Sequence, residues 1–228
     1  MGHKSKKKQF IGSLISKSNS DYFDGIRNEV LPYIPSQAKV FLDVGCAHGK
    51  FGAMLKKRDP QSEVWGAEIS FKAAAIARQF LDKVIVGDIM QCVNLLPNNF
   101  FDCVVCNDSL EHMADPFLLL ERIKTKLSRK GVIVSSVPNV RYYRNLQNLL
   151  FKKQWRYEHA GVLDRTHLRF FTEKSIRDMY EGLGYKIEVH EGINSTRKKN
   201  IHLLVLLSLG WLEDIRFQQF VTRVRPKK

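Results

Sequence analysis

Phe41-Leu-Asp-Val-Gly-Cys-Ala-His-Gly-Lys50 decides the fold of this chain. Lys39 to Leu42 reads as a buried strand, Asp43 sets a carboxylate at its end, and Gly45 to Gly49 is a glycine-punctuated turn before a helical stretch, Phe51 to Arg58. Strand, glycine turn and helix open a ligand crevice at the carboxyl end of a strand in an α/β sheet. Glycine lets the backbone turn sharply and leaves room that a Cβ would obstruct. The spacing disfavours a nicotinamide or flavin dinucleotide, whose fingerprint needs glycine at Ala47 and Lys50. It also excludes a phosphate-binding P-loop, because Gly45 and Gly49 lie too close and Phe51 stands where Ser or Thr is required.

The same rhythm continues outward. Val64 to Glu68, Val84 to Asp88 and Phe101 to Asp108 read as further strands, each ending in polar or acidic residues. Phe71 to Leu81 and Pro116 to Leu127 read as helices, the latter with Asp115 as N-cap and Pro116 at its first position. Gly131 to Val137 is a fifth strand, ended by Pro138-Asn139. Alternating strands and helices predict a parallel sheet with helices on both faces. Residues 139–171 break the rhythm, and a connection of that length inside a compact domain is usually functional. A helix over Thr172 to Leu183 and strands over Tyr185 to Glu191 and Phe217 to Val224 complete the pattern. The expected organisation is a basic tail and helical lead-in over 1–38, then one domain over 39–228 carrying a lid or acceptor insertion near 139–171.

The 228 residues suit one domain with a sizeable core. Cys46, Cys92, Cys103 and Cys106 are scattered, and the one C-x-x-C lies inside an apolar strand, which suits buried free thiols better than zinc. The lysine-rich start lacks an apolar segment behind it, and the longest apolar stretch, Ile201 to Leu212, is too short for a membrane span. A cytoplasmic protein is expected, with peripheral contact at the inner membrane face left open. The net charge of +14 favours an anionic partner: nucleic acid, a phosphorylated acceptor or an acidic membrane. Part of that charge sits at the ends, in Lys4, Lys6, Lys7 and Lys8 and in Arg223, Arg225, Lys227 and Lys228, which read as solvating tails.

Asp43-Val-Gly45-Cys46-Ala47-His-Gly49 resembles the first motif of the class I S-adenosylmethionine (SAM) methyltransferases, D-x-G-x-G-x-G, with Ala47 in place of the middle glycine. The three later strand ends follow in that family's order. The resemblance implies a Rossmann-like, mostly parallel seven-stranded sheet with an antiparallel last strand. It implies SAM as cofactor and S-adenosylhomocysteine as product. Asp43, Gly45, Cys46, Ala47 and Gly49 would form the cofactor turn, and Glu68, beside Ile69, would accept hydrogen bonds from the ribose hydroxyls. Asp88 would hold the adenine amino group, Ile89 would pack on the ring, and Asn107 or Asp108 would lie near the methionine end.

Leu163-Asp-Arg-Thr-His167-Leu-Arg169-Phe-Phe-Thr172 resembles a signature of methyltransferases encoded with bacterial surface-polysaccharide and glycosyltransferase enzymes, as do Tyr22-Phe23 to Pro35 and Trp155-Arg-Tyr. That implies O-methylation of a sugar or glycan hydroxyl, with phosphorylated and lipid-linked acceptors among the options. A sugar hydroxyl attacks poorly while protonated, so a general base is needed, and histidine suits that role near neutral pH. His167 is the expected catalytic base; the alternative is that it braces the next helix. Arg165 and Arg169 could hold an anionic group or serve structure. Glu111-His112 reads as a pocket-lining helix start. Asp108, Glu111, His112 and His167 also imitate the metal set of ubiquinone-pathway and small-RNA 2′-O-methyltransferases, although Asp108 replaces a longer glutamate, and no residue is assigned to a metal. RNA methylation and a non-catalytic binding protein remain the competing readings. Arg141 to Arg156 holds five cations and no acid, with Leu146, Leu149, Leu150 and Lys153 near one helical face. That suits a lid, a dimer surface or docking on an anionic membrane. Ile201 to Leu212 could pair with it or belong to the core.

Overall fold

The computed structural model describes residues 27–227; the Lys4–Lys8 run, Tyr22-Phe23, most of the expected lead-in and Lys228 lie outside them. Seven strands form one sheet: β1 (Val40–Val44), β2 (Glu63–Glu68), β3 (Lys83–Val86), β4 (Phe101–Asn107), β5 (Leu127–Pro138), β6 (Tyr185–Ser195) and β7 (Phe217–Pro226). Their order is β3-β2-β1-β4-β5-β7-β6. β1 pairs parallel with both β2 and β4, whereas β7 runs antiparallel to β5 and β6. The chain therefore winds outward in opposite directions from β1 and β4. At such a switch point the connections leave on opposite faces, and a crevice opens beyond the strand ends.

The strands bury both faces, as central parallel strands must. Leu42, Val44, Val104 and Cys106 point to one face and pack on Leu119, Leu120 and Ile123 of α4 (Pro116–Ile123) and on Ile176, Met179 and Tyr180 of α6 (Glu173–Gly182). Phe41, Cys103 and Val105 point to the other and pack on Phe51 and Leu55 of α1 (Lys50–Arg58) and on Ala77 of α2 (Phe71–Ala77). The alternation follows from the two-residue period of a strand. Local chemistry starts the helices. Asp115 accepts from the Leu118 N–H ahead of α4, Thr172 and Ser175 form a reciprocal capping box on α6, and Asp88 caps the one-turn α3 (Ile89–Cys92).

Some boundaries differ from the sequence expectation. α2 ends at Ala77 rather than Leu81, because the Gln79 and Phe80 N–H groups bond to the carbonyls three residues back, Ile76 and Ala77, and Asp82 then returns to the Val64 carbonyl at the sheet. α4 ends at Ile123, and Leu127 opens β5 opposite Phe101. β5 starts four residues before Gly131 because that glycine accommodates an irregularity: a Cβ there would stand 2.7 Å from the Phe101 carbonyl oxygen. β6 runs past Glu191 to Ser195, held by β7. In the lead-in, the described part is a 3-10 turn, Asn28–Tyr33. The 139–171 segment contains α5 (Tyr143–Phe151), followed by a long excursion back to α6. A last helix, α7 (Lys199–Leu207), joins β6 to β7. Among the described residues no helix is long and apolar enough to cross a membrane.

Candidate active site

The turn after β1 adopts the geometry its glycines permit. Gly45 and Gly49 both have φ of 76°, and Ala47 has φ of 49°, so the residue in place of the middle glycine is itself left-handed. A non-glycine residue pays roughly 1–2 kcal/mol for that conformation. The Ala47 N–H donates to Glu68 Oε2 at 2.9 Å, which fixes the strained peptide. The other Glu68 oxygen accepts from Ser70 N at 2.8 Å. Gly49 is tight for a second reason: a Cβ there would meet the Ala77 Cα at 3.0 Å.

Above this turn lies a cavity of about 360 Å³. The β1 side contributes Asp43, Gly45, Cys46 and Ala47, and the end of β4 contributes Asn107, Asp108, Glu111 and His112. The 139–171 excursion supplies Gly161, Val162, Asp164 and His167. The predicted turn, the β4 end and the His167 loop are thus brought together. Glu68, Ile69, Asp88 and Ile89 are not on this wall; they lie at or just after the ends of β2 and β3, one and two strands further out. Asp88 accepts from Met90 N, Ile89 is buried in the core, and Ile69 is 74% exposed.

Several groups on the wall lack partners. Asn107 Oδ1 and Nδ2 and both Glu111 carboxylate oxygens are buried with no hydrogen-bond partner among the described residues. Such atoms normally find one, so a polar ligand that fills the cavity satisfies them. The wall also carries Asp43, Glu111 and Asp164, together with Lys50 and the Arg27–Asp108 pair, a polar lining with charges of both signs. Burial, and then the charge of Glu68, push the Asp43 carboxyl up to about 7.

His167 is buried, and its Nδ1 lies 3.0 Å from the Val162 carbonyl, which can only accept. The Nδ1 hydrogen is therefore placed, and in the neutral ring the lone pair sits on Nε2, 4.0 Å from Glu111 Oε1. His112 Nδ1 faces the Thr166 carbonyl and hydroxyl at 3.2 and 3.1 Å, and Thr166 in turn donates to Asp164. The two imidazoles meet edge to face, 4.7 Å apart. The loop is pinned because the Leu168 and Arg169 N–H groups both donate to the Glu111 carbonyl. Arg169 also caps the Ala114 carbonyl with its guanidinium, a structural task. Burial holds the His167 pKa below its usual value, with His112 adding to the effect; burial, and then Asp108, raise the Glu111 carboxyl well above the usual range.

Asp108 points elsewhere. It has φ of 44°, pairs with Arg27, and accepts from Ser136 Oγ and Gln219 Nε2. Of the four residues that imitate a metal set, the structure therefore unites three: Glu111, His112 and His167 offer atoms within 4.8 Å of one another. Arg27, Gln219 and Val162 were not legible as site residues, because each reaches the crevice only through tertiary packing.

A doubly wound sheet with a glycine turn at the switch point and acids at successive strand ends defines the class I methyltransferase fold. The methyltransferase-domain family profile matches residues 17–190, and the chain belongs to that family. A SAM-dependent methyltransferase from Archaeoglobus fulgidus has the same fold: TM-score 0.63 at 22% identity, covering 86% of this chain and 90% of that one. A trans-aconitate 2-methyltransferase of Escherichia coli is 28% identical over 114 residues, 49% of this chain and 44% of its own. A ubiquinone biosynthesis O-methyltransferase of Histophilus somni is 27% identical over 123 residues, 48% of this chain and 51% of its own. The chain thus spans about half the length of these curated relatives.

Proposed function

We propose that this protein transfers a methyl group from SAM to a hydroxyl oxygen, on a sugar or glycan acceptor. When bound, SAM supplies an electrophilic methyl group on a positively charged sulfur. The chain's own residues do the rest. Asp43 and the β1 turn receive the cationic end of the cofactor, and Glu68 and Asp88, further along the sheet, receive its ribose and adenine. The cavity wall aligns the acceptor oxygen with the methyl group, and such positioning is worth on the order of 7–11 kcal/mol of barrier. His167 Nε2 takes the hydroxyl proton, with the Glu111 carboxyl group beside it and Asp164 favouring the imidazolium that forms. The carrying observation is the unpartnered Glu111 carboxyl group facing His167 on the cavity wall. The sugar acceptor rests on the likeness of Leu163 to Thr172 to glycan-associated methyltransferases. Four free cysteines, three of them buried, support a reducing, cytoplasmic setting.

A second reading is favoured by one observation. Each imidazole of the cluster has its Nδ1 on an oxygen acceptor, the arrangement that usually orients a metal-binding histidine. Glu111, His112 and His167 would then hold a first-row divalent cation, which would lower the pKa of the acceptor hydroxyl. Transfer of tritiated methyl from SAM to carbohydrate and RNA fractions tests the assignment. Label in alkali-stable ethers of sugar is expected; label confined to RNA, or no transfer despite SAM binding, overturns it.

A further inference from the structure

α7 is apolar nearly all the way round, yet only one side of it is covered. Ile201 and Val205 pack with Tyr143 of α5 and with Ile215, and Leu146 and Leu212 flank the contact. The outer side is leucine again: Leu206 and Leu207 are each 71% exposed, and the turn that follows presents Leu209 and Trp211, 96% and 82% exposed. On the adjoining α5, Leu150 and Phe151 are exposed at the last turn. A surface helix normally turns polar residues to water, and an apolar patch of this kind marks an interaction site. None of these residues lines the cavity. α7 also lies beyond residue 190, where the family match ends.

The surrounding charge selects the occupant. Residues 141–157 contain Arg141, Arg144, Lys152, Lys153 and Arg156 and no Asp or Glu; residues 197–212 contain Arg197, Lys198 and Lys199 and again no acid. Arg144, Lys152, Lys153, Arg156 and all three cations of the second segment are exposed. Pairing this surface with a second copy of itself about a twofold axis would bring two predominantly cationic faces together, and like charge across an interface opposes association. A bilayer with anionic headgroups offers both halves of the complement: hydrocarbon for the leucines and Trp211, and negative charge for the rim.

We propose that α5, α7 and the turn after α7 form a docking surface for an anionic lipid membrane. Leu206, Leu207, Leu209 and Trp211 insert at the headgroup–acyl boundary while Lys152, Lys153, Arg197 and Lys199 meet lipid phosphates. The crevice is a separate feature, so docking does not depend on the methyl acceptor. Flotation of the full chain with phosphatidylcholine vesicles, with and without phosphatidylglycerol, tests it. Binding is expected only with phosphatidylglycerol, weakened by salt, and reduced at least about tenfold by L206E/L207E and by K152E/K153E, with SAM affinity by calorimetry unchanged in both. Three results would overturn it: no flotation with anionic vesicles at low salt, binding unaltered by L206E/L207E, or a dimer dissolved by L206E/L207E without vesicle binding.

Discussion

His167 Nε2 stands 4.0 Å from Glu111 Oε1, with the glutamate 1% exposed. The Val162 carbonyl on Nδ1 holds the neutral imidazole in one tautomer, with its lone pair on Nε2 toward Glu111. Removing the imidazole should leave SAM affinity nearly intact and lower turnover by about 10²–10⁴-fold. His167→Ala, assayed by tritiated methyl transfer alongside calorimetric titration with SAM, checks this; unchanged turnover would end the catalytic assignment.

Glu111→Gln replaces a buried carboxyl group that has no hydrogen-bond partner among the described residues and that burial, and then Asp108, bias toward its neutral form. An amide resembles the neutral carboxyl in size and charge, so thermal stability should change little at acid pH and should rise relative to wild type as increasing pH ionises the buried acid. Turnover should fall with it. Titration with Mn²⁺ followed by electron paramagnetic resonance separates the two readings of the cluster: wild type binds and Glu111→Gln does not only if the cluster holds a cation.

Asp43 sets a pH dependence. Its carboxyl rises to about 7 in the folded protein, above its unfolded value of 3.8. A raised acid favours the protonated fold, so its contribution is complete below the unfolded pKa and is lost as pH rises through about 7. Asp43→Asn should therefore raise the melting temperature more at pH 8 than at pH 5. A cationic cofactor prefers the ionised carboxylate, so SAM affinity should fall as pH drops below about 7, with proton release on binding. Calorimetry in buffers of different ionisation enthalpy reads that proton directly.

Gly49→Ala places a Cβ 3.0 Å from the Ala77 backbone in a residue with φ of 76°. The left-handed penalty and the displacement of α2 should together cost about 2 kcal/mol or more. Urea denaturation of the variant should show a lower midpoint with the slope unchanged.

Much of the framework was legible because it is local. Strand, acid, glycine turn and helix lie within Phe41 to Arg58, and the caps at Asp115 and Thr172 act on N–H groups three residues away. Helix ends were less legible. α2 stops at Ala77, and the turn after it brings Asp82 to the Val64 carbonyl, a partner set by the sheet rather than by Asp82's sequence neighbours.

Sequence alone determined the strand-turn-helix units and the acids that end them, since hydrophobic period and backbone freedom are properties of neighbouring residues. Only the tertiary structure decided what each polar group faces. Arg27 and Gln219, 81 and 111 positions away, draw Asp108 off the histidine cluster, while backbone bonds onto the Glu111 carbonyl carry His167 to it. α7 reads as an ordinary apolar run; that half of it meets water is decided by how little of the fold covers it. Contacts made across many residues depend on the register of the whole sheet, which no single segment encodes.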